Sequence, residues 1–305
     1  MPLLLAALIT AAAVPEDAPK QQARWADLAI PEQIRTMLDA ALEQGNEQEI
    51  NTIVKFARVA DPGSGDAVLR IAQAWRADRE RQRIALIEEA GFLNLWRGKL
   101  ELGGFLTTGN SNTAGLSANA NLSREGLQWR HKLRGQIDLQ ESLGVTTREH
   151  YLLSYEPNYK VNDRAYIYGQ VQYESDRFLG FYDRASSSVG AGYSALKTRP
   201  ISLDLEIGPA FRYTSFTDGE RSSQLATRGS VDLNWRLLRG LSIQQTASAY
   251  LQRVNSTVSS KTSVNARLLG PLSAQLSYNV QYESTPPVGS VSTDTTTRAS
   301  LVYAF

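Results

Sequence analysis

Beyond Trp96 the chain alternates apolar and polar side chains with a period of two, the signature of a strand with one dry and one wet face. The clearest run is Ile201, Leu203, Leu205, Ile207, Pro209, Phe211 and Tyr213, with Ser202, Asp204, Glu206 and Arg212 between them. Leu272, Ala274, Leu276, Tyr278, Val280 and Tyr282 repeat it against Ser273, Gln275, Ser277, Asn279, Gln281 and Glu283. About twelve such segments follow one another, from Leu100, Leu102 and Leu106 to Thr297, Ala299, Leu301, Tyr303 and Phe305.

Before Trp96 the period is different. From Gln22 to about Leu95 apolar residues recur at spacings of three and four, which predicts helices. Pro31 stands where its fixed φ favours a first turn, Ile34, Met37, Leu38 and Leu42 follow, and Gly45 ends the run. A second helix carries Ile50, Ile53, Val54 and Phe56 up to Asp61-Pro62-Gly63. A third starts near Asp66 with Val68, Ile71, Ala72 and Trp75, and runs on through the charged stretch Arg76 to Arg83. That stretch reads as a solvated face, since Asp78 and Glu80 break its basic run. The apolar stretch Leu3 to Ala13, with Ala11-Ala12-Ala13 as small residues for cleavage, reads as an export signal lacking a preceding Lys or Arg.

Alternation alone fits a soluble β-sandwich as well as a membrane barrel. The connections separate the two. Glu125 to Leu127, Asn162-Asp163, Arg199-Pro200, Arg239-Gly240 and Gly270-Pro271 read as tight turns at every second junction. The others read longer: 109–112, 140–146, 177–185, 217–223, 255–261 and 284–293. Short turns alternating with long ones, and an even strand number, predict an up-and-down antiparallel transmembrane β-barrel with periplasmic turns and external loops. The expected organisation is a signal peptide at 1–13, a short α-helical periplasmic segment at 14–95 and an outer-membrane barrel at 96–305. Trp96, Trp129, Tyr159, Trp235, Tyr303 and Phe305 near the tight turns suit an interfacial girdle. The terminal strand ending on Phe305 looks like the signal that barrel-assembly machinery reads in bacterial outer membranes.

Composition narrows the picture. Hydrophobic residues make up 42% of 305 and mean hydropathy is −0.31, which excludes a helical membrane protein and permits a barrel whose strands face a polar lumen. Cysteine is absent, as suits a chain crossing an oxidising periplasm unfolded. The formal charge of +1 gives no argument for nucleic acid. No Gly-rich phosphate loop or metal-ligand cluster calls for a cofactor.

Two motifs carry a resemblance. One is Gly103-Gly104-Phe105-Leu106-Thr107-Thr108-Gly109-Asn110-Ser111-Asn112-Thr113, with turn-forming residues at its tip. The other is Asp176-Arg177-Phe178-Leu179-Gly180-Phe181-Tyr182-Asp183-Arg184, followed by Val189-Gly190-Ala191-Gly192-Tyr193. Together they resemble the family named for salt-induced outer-membrane proteins, whose domain has no assigned biochemical function, over about residues 96–305. The resemblance implies a barrel, an outer-membrane location and a link to salt stress. It carries no catalytic residue.

Lys99, Glu101, Arg130, Lys132, Arg134, Asp204, Glu206 and Arg212 fall on the polar phase and are candidate lumen residues. Pairing among them gives a plugged structural barrel. A water path through them gives a narrow conduit, with the Arg130-Lys132-Arg134 ladder attracting anions. In the second motif Asp176, Arg177, Phe178, Phe181, Tyr182, Asp183 and Arg184 are candidates for an external loop that latches into the mouth. Of the two histidines, His131 lies near the short-turn side and His150 reads as a solvated rim residue at the outer side.

The expectation is a non-enzymatic outer-membrane barrel for envelope maintenance or narrow-pore solute passage. Its partners are membrane lipid and lipopolysaccharide, and its helices either pack structurally on one another or dock a periplasmic partner. The alternatives are a lipid-modifying hydrolase, for which His150 is the better-placed base, and an adhesion barrel acting through its loops.

Overall fold

The computed structural model describes residues 30–108, 113–142, 145–253, 255–286 and 291–305. The proposed signal at 1–13 and the hairpin tip at 109–112 lie outside the described residues. The described chain divides into two units, one ending at Glu89 and the other beginning at Ala90.

The first unit contains α1 (Glu32–Gln44), α2 (Glu47–Ala60) and α3 (Pro62–Glu89). Pro31 stands just ahead of α1, and Gly45 closes it at φ 66°, donating back to Leu42 O at 3.1 Å. Asn46 caps α2 by accepting from the Gln48 amide at 3.1 Å. Asp61 separates α2 from α3, and the Ser64 hydroxyl and Gly63 amide hold its carboxyl below the ordinary range. Leu38, Ala41, Ile50, Val54, Val68, Ile71 and Ala72 form the core between the helices. Met37 and Phe56, expected to pack, are instead 61% and 62% exposed.

The second unit is a closed sheet of twelve antiparallel strands, each bonded to its neighbours in sequence. They are β1 (Trp96–Thr108), β2 (Thr113–Glu125), β3 (Trp129–Ser142), β4 (Val145–Lys160), β5 (Ala165–Asp176), β6 (Phe181–Lys197), β7 (Ile201–Phe216), β8 (Arg221–Leu238), β9 (Leu241–Leu251), β10 (Thr257–Leu269), β11 (Leu272–Glu283) and β12 (Thr293–Ala304). The first and last strands close the ring in unbroken register from Lys99↔Ala304 to Thr108↔Thr295. The shortest strand has 11 residues and the longest 18, enough to cross a bilayer core, which needs about 9–11 per tilted strand.

The apolar phase faces outward. Leu102, Leu116, Ile207, Leu225 and Leu301 are 58–80% exposed, while the core positions of a soluble sandwich are taken here by Glu101, Asp138, Arg212 and Arg298. Leaving so many large apolar side chains in water forfeits about 1.5–3 kcal/mol each. Hydrocarbon is the solvent that removes this cost, and the soluble reading fails on it.

The loops depart from expectation. One end has short connections at 126–128, 161–164, 198–200, 239–240 and 270–271. At the other end β5 and β6 are joined by 177–180, β7 and β8 by 217–220, and β9 and β10 by 252–256, all shorter than the segments read as loops. The reason is that strand pairing continues into polar sequence. Ser222 and Ser223 pair with Thr214 and Tyr213, and Thr257 to Lys261 pair along β9, although none of them signals a buried strand.

One close approach pins the register. Pairing of β6 with β7 is interrupted between Ser188↔Ala210 and Ala191↔Ile207, where Pro209 has no N–H to give. There a side chain on Gly208 would begin 2.1 Å from Val189 O and 2.6 Å from the Gly190 Cα. Gly208→Val should therefore abolish the heat-modifiable folded band of the barrel on gels. Gly135→Ala, with nothing within 4 Å of the new methyl, should leave it intact. Equal behaviour of the two variants would show that this register is not sterically fixed.

Candidate functional site

Two-residue periodicity puts one side chain in two inside the ring, and the inward set here is polar. It surrounds a cavity of about 680 Å³ that reaches from Arg97, Lys99 and Phe305 at the short-turn end to Thr257 and Leu179 toward the other. All but Arg130 of the candidate lumen residues border that cavity.

Most of the charge inside is paired. Glu101 is buried, accepts from Ser300 Oγ at 2.8 Å and lies 3.5 Å from Lys261 Nζ. Arg130 lies beneath the cavity wall, 3.2 Å from Asp204 and stacked over the Tyr166 ring at 4.7 Å. Lys132 bonds Glu156 at 2.9 Å and approaches Glu206 at 3.9 Å. Glu206 also accepts from Arg228 at 2.9 Å, Ser230 at 2.7 Å and the Tyr166 hydroxyl at 3.1 Å. Arg212 lies over Tyr250 at 3.9 Å and donates to Thr257 at 3.0 Å and Ser186 at 3.1 Å. The ladder expected to attract anions is thus neutralised on two rungs. Within the ladder Arg134 makes no salt-bridge contact among the described residues and has Asp232 as its charged neighbour, and Lys99 at the mouth makes none either.

The second motif is not an extended loop. Asp176 ends β5 and accepts from the Phe178 and Leu179 amides at 3.0 Å, building a 3-10 turn over Arg177–Leu179. Gly180 closes the turn at φ 86°, and Phe181 already begins β6. The candidate latch residues then separate by strand phase. Phe181 is fully buried, Arg184 lies 3.8 Å over its ring and 3.1 Å from Glu283, and Asp176 is 3.8 Å from Arg148. Arg177 pairs with Glu149, Asp183 accepts from the Tyr173 hydroxyl at 2.5 Å, and Phe178 and Tyr182 are exposed. The first group fills the lumen from the wall and the second stays outside.

His150 is a correction. Its sequence position predicts a solvated rim residue, yet β4 begins at Val145, and five residues of strand carry the imidazole into the interior, where it is 7% exposed. Its Nδ1 lies 3.3 Å from Asp138 and its Nε2 3.3 Å from Glu174, so neither nitrogen is left to take a proton from a hydroxyl nucleophile. Arg298 reaches the same Asp138 from β12. His131 points outward at the short-turn end, bonded to Tyr155 at 2.9 Å and stacked between Tyr155 and Trp129. With the Trp129–Tyr159 edge contact at 5.2 Å and exposed Trp235, Tyr303 and Phe305, this makes an aromatic girdle.

Sequence reasoning passed over Arg148, Arg228, Lys261 and Arg298. The signal was present for Arg298, which sits between the outward Thr297 and Ala299 and must therefore face in. Among the described residues no cluster of His, Asp and Glu has the arrangement of a metal site.

An outward apolar belt, a closed ladder and a charge-lined interior cavity define a transmembrane β-barrel. The model of the family described as "Protein of unknown function, DUF481" matches residues 100–305, and the chain belongs to that family. The resemblance carried by the two motifs is borne out over that span. The uncharacterised protein YdiY of Escherichia coli (strain K12) is 25% identical over 210 residues, 68% of this chain and 83% of its own length. Among solved structures, the NanC porin matches with a TM-score of 0.47 at 10% identity, over 67% of this chain and 98% of that one. An outer-membrane channel of Pseudomonas putida F1 matches with a TM-score of 0.44 at 10% identity, over 71% and 100%.

Buried pairs in this lumen impose a testable energetic asymmetry. Arg184 and Glu283 have side chains 3% and 9% exposed. Arg184→Met should cost roughly 3–5 kcal/mol by stranding the carboxylate, while Arg184→Met with Glu283→Gln should recover most of it. Urea unfolding in phospholipid vesicles reads both. A single-variant loss under about 1 kcal/mol would mean the pair is hydrated rather than buried.

Proposed function

We propose that this barrel is a narrow channel of the bacterial outer membrane that passes small hydrated ions and solutes. The observation that carries the reading is the polar cavity of about 680 Å³ running from the short-turn mouth deep into the ring. It is far larger than the roughly 30 Å³ share of one water, so it suits a water path. The ion-paired side chains that line it, such as Lys132 with Glu156 and Lys261 with Glu101, make it too obstructed for a wide general pore.

The even strand number and the girdle beside the short turns support a periplasmic placement of that mouth and of the helical segment. Membrane lipid and lipopolysaccharide are then the surroundings of the outward belt, and barrel-assembly machinery reads the terminal strand. Passage of small osmolytes also fits the salt-stress link implied by the family resemblance.

In a planar bilayer the refolded protein should give small, discrete conductance steps. Ser248→Trp, on the cavity wall, should shrink them, and Leu276→Trp, on the outward face, should not. A folded, inserted barrel that stays silent would overturn the channel reading in favour of a structural one.

A further inference from the structure

The charge that remains unpaired is concentrated at one mouth. On β1, Arg97 and Lys99 continue the inward phase of Glu101 and border the cavity. On β6, Lys197 stands opposite the cavity-lining Ser202 and so shares its face, with its ammonium donating to the Asp163 carbonyl at 3.0 Å. On β8, Arg236 follows Asp232 and Asn234 on the same phase and stands opposite Ser242. On β10, Arg267 follows Ser263 and Asn265 and stands opposite Ser273. All five are exposed, all lie at the short-turn end, and none has a carboxylate partner among the described residues.

Carboxylates at that level do not cancel them. Glu125 is held by Lys160, and the turn residue Asp163 is flanked by Arg164. Arg199 and Arg239 add further cations in the adjoining turns. The opposite rim is mixed in charge, with Glu149, Asp183, Asp218 and Glu220 set against Arg177, Arg221 and Arg253. The clear excess of one sign is therefore at the short-turn mouth, where the exposed cations outnumber the carboxylates.

We infer that the short-turn mouth is a capture site for small multivalent oxyanions, phosphate or polycarboxylate in chemistry, and that it makes the channel anion-selective. The inference rests on the channel reading and names its solute class. Twelve strands about 4.8 Å apart put the wall roughly 12 Å from the axis. The Debye length is about 10 Å at 0.1 M salt. The fields of cations on β1, β6, β8 and β10 therefore overlap across the opening, and low-dielectric walls focus them. Arginine also presents the planar fork that matches carboxylate and phosphate. The lipid phosphates of the surrounding leaflet share this chemistry. The five side chains are on the inward phase, however, while Trp129, Tyr159 and Trp235 face the lipid.

The test uses the full-length refolded protein in a bilayer of zwitterionic lipid under a tenfold potassium chloride gradient. The reversal potential should report chloride preferred over potassium several-fold. The preference should fade in 1 M salt, where the Debye length is about 3 Å. Millimolar inorganic phosphate on the short-turn side should reduce the chloride current. Combined Arg97→Gln, Lys99→Gln, Arg236→Gln and Arg267→Gln should remove both effects, and Arg177→Gln with Arg221→Gln at the other rim should not. Because the changed side chains are exposed, the variants should keep the heat-modifiable folded band.

Conduction that is unselective, cation-selective or indifferent to phosphate overturns this inference and leaves the channel reading standing. A silent barrel overturns the channel reading. In that case calorimetric titration of phosphate into the detergent-solubilised protein decides the site alone. Binding lost in the four-fold variant keeps the site, and no binding to the unchanged protein removes it. Phosphate binding that is seen in detergent and abolished by anionic lipid would assign the cations to headgroups instead.

Discussion

Closure of the hydrogen-bond ladder between β1 and β12 is the constraint on which everything else depends. In hydrocarbon an unpaired backbone N–H or carbonyl costs several kcal/mol, so a membrane sheet cannot keep an edge. Ten paired positions from Lys99↔Ala304 to Thr108↔Thr295 remove it. Once the ring is closed, alternation leaves no freedom. Each residue faces lipid or lumen according to its parity, and the sequence meets that demand with Leu102, Leu116, Ile207 and Leu225 outside and Glu101, Asp138, Glu206 and Arg212 inside.

The interior is then a problem in electrostatics rather than in apolar packing. Charges enclosed by a protein wall lose hydration, and their mutual attraction offsets that loss only when geometry is good. The ring answers with pairs that span it. Arg130 reaches Asp204, Arg228 reaches Glu156, and Arg184 reaches Glu283. Aromatic faces take part of the guanidinium charge as well, with Arg184 over Phe181 and Arg212 over Tyr250 at under 4 Å. Such pairs add little net stability, but they fix which strand faces which across the lumen. They also leave the mouth cations as the groups free to act on a solute.

Much of this was legible in the sequence. Period two marked the strands and their parity, because a strand with one lipid face cannot slip by a residue without inverting its whole pattern. That parity placed Glu101, Lys132 and Glu206 inside. Partners across the ring were not legible. Arg298 meets Asp138 and Ser300 meets Glu101 across 160 and 199 residues of chain, distances that only closure brings together. Strand ends were misread for a related reason. Above the apolar belt, β4 and β8 continue through polar residues whose side chains give no periodic signal, and this moved His150 inward and shortened the turn between β7 and β8. The exposed Met37 and Phe56 show the same limit in the helices, where spacing marks an apolar position without saying what covers it.

The central claim is that parity along each strand separates lumen from lipid. The absence of cysteine makes it directly measurable, since any introduced thiol is unique. Gln275→Cys and Leu276→Cys are neighbours on β11, one bordering the cavity and the other 57% exposed on the outer face. In protein inserted into lipid vesicles, a membrane-impermeant charged thiol reagent should modify position 275 and spare position 276, with a lipid-soluble maleimide doing the reverse. Equal labelling of both by the charged reagent, or the inverse pattern, would contradict the account.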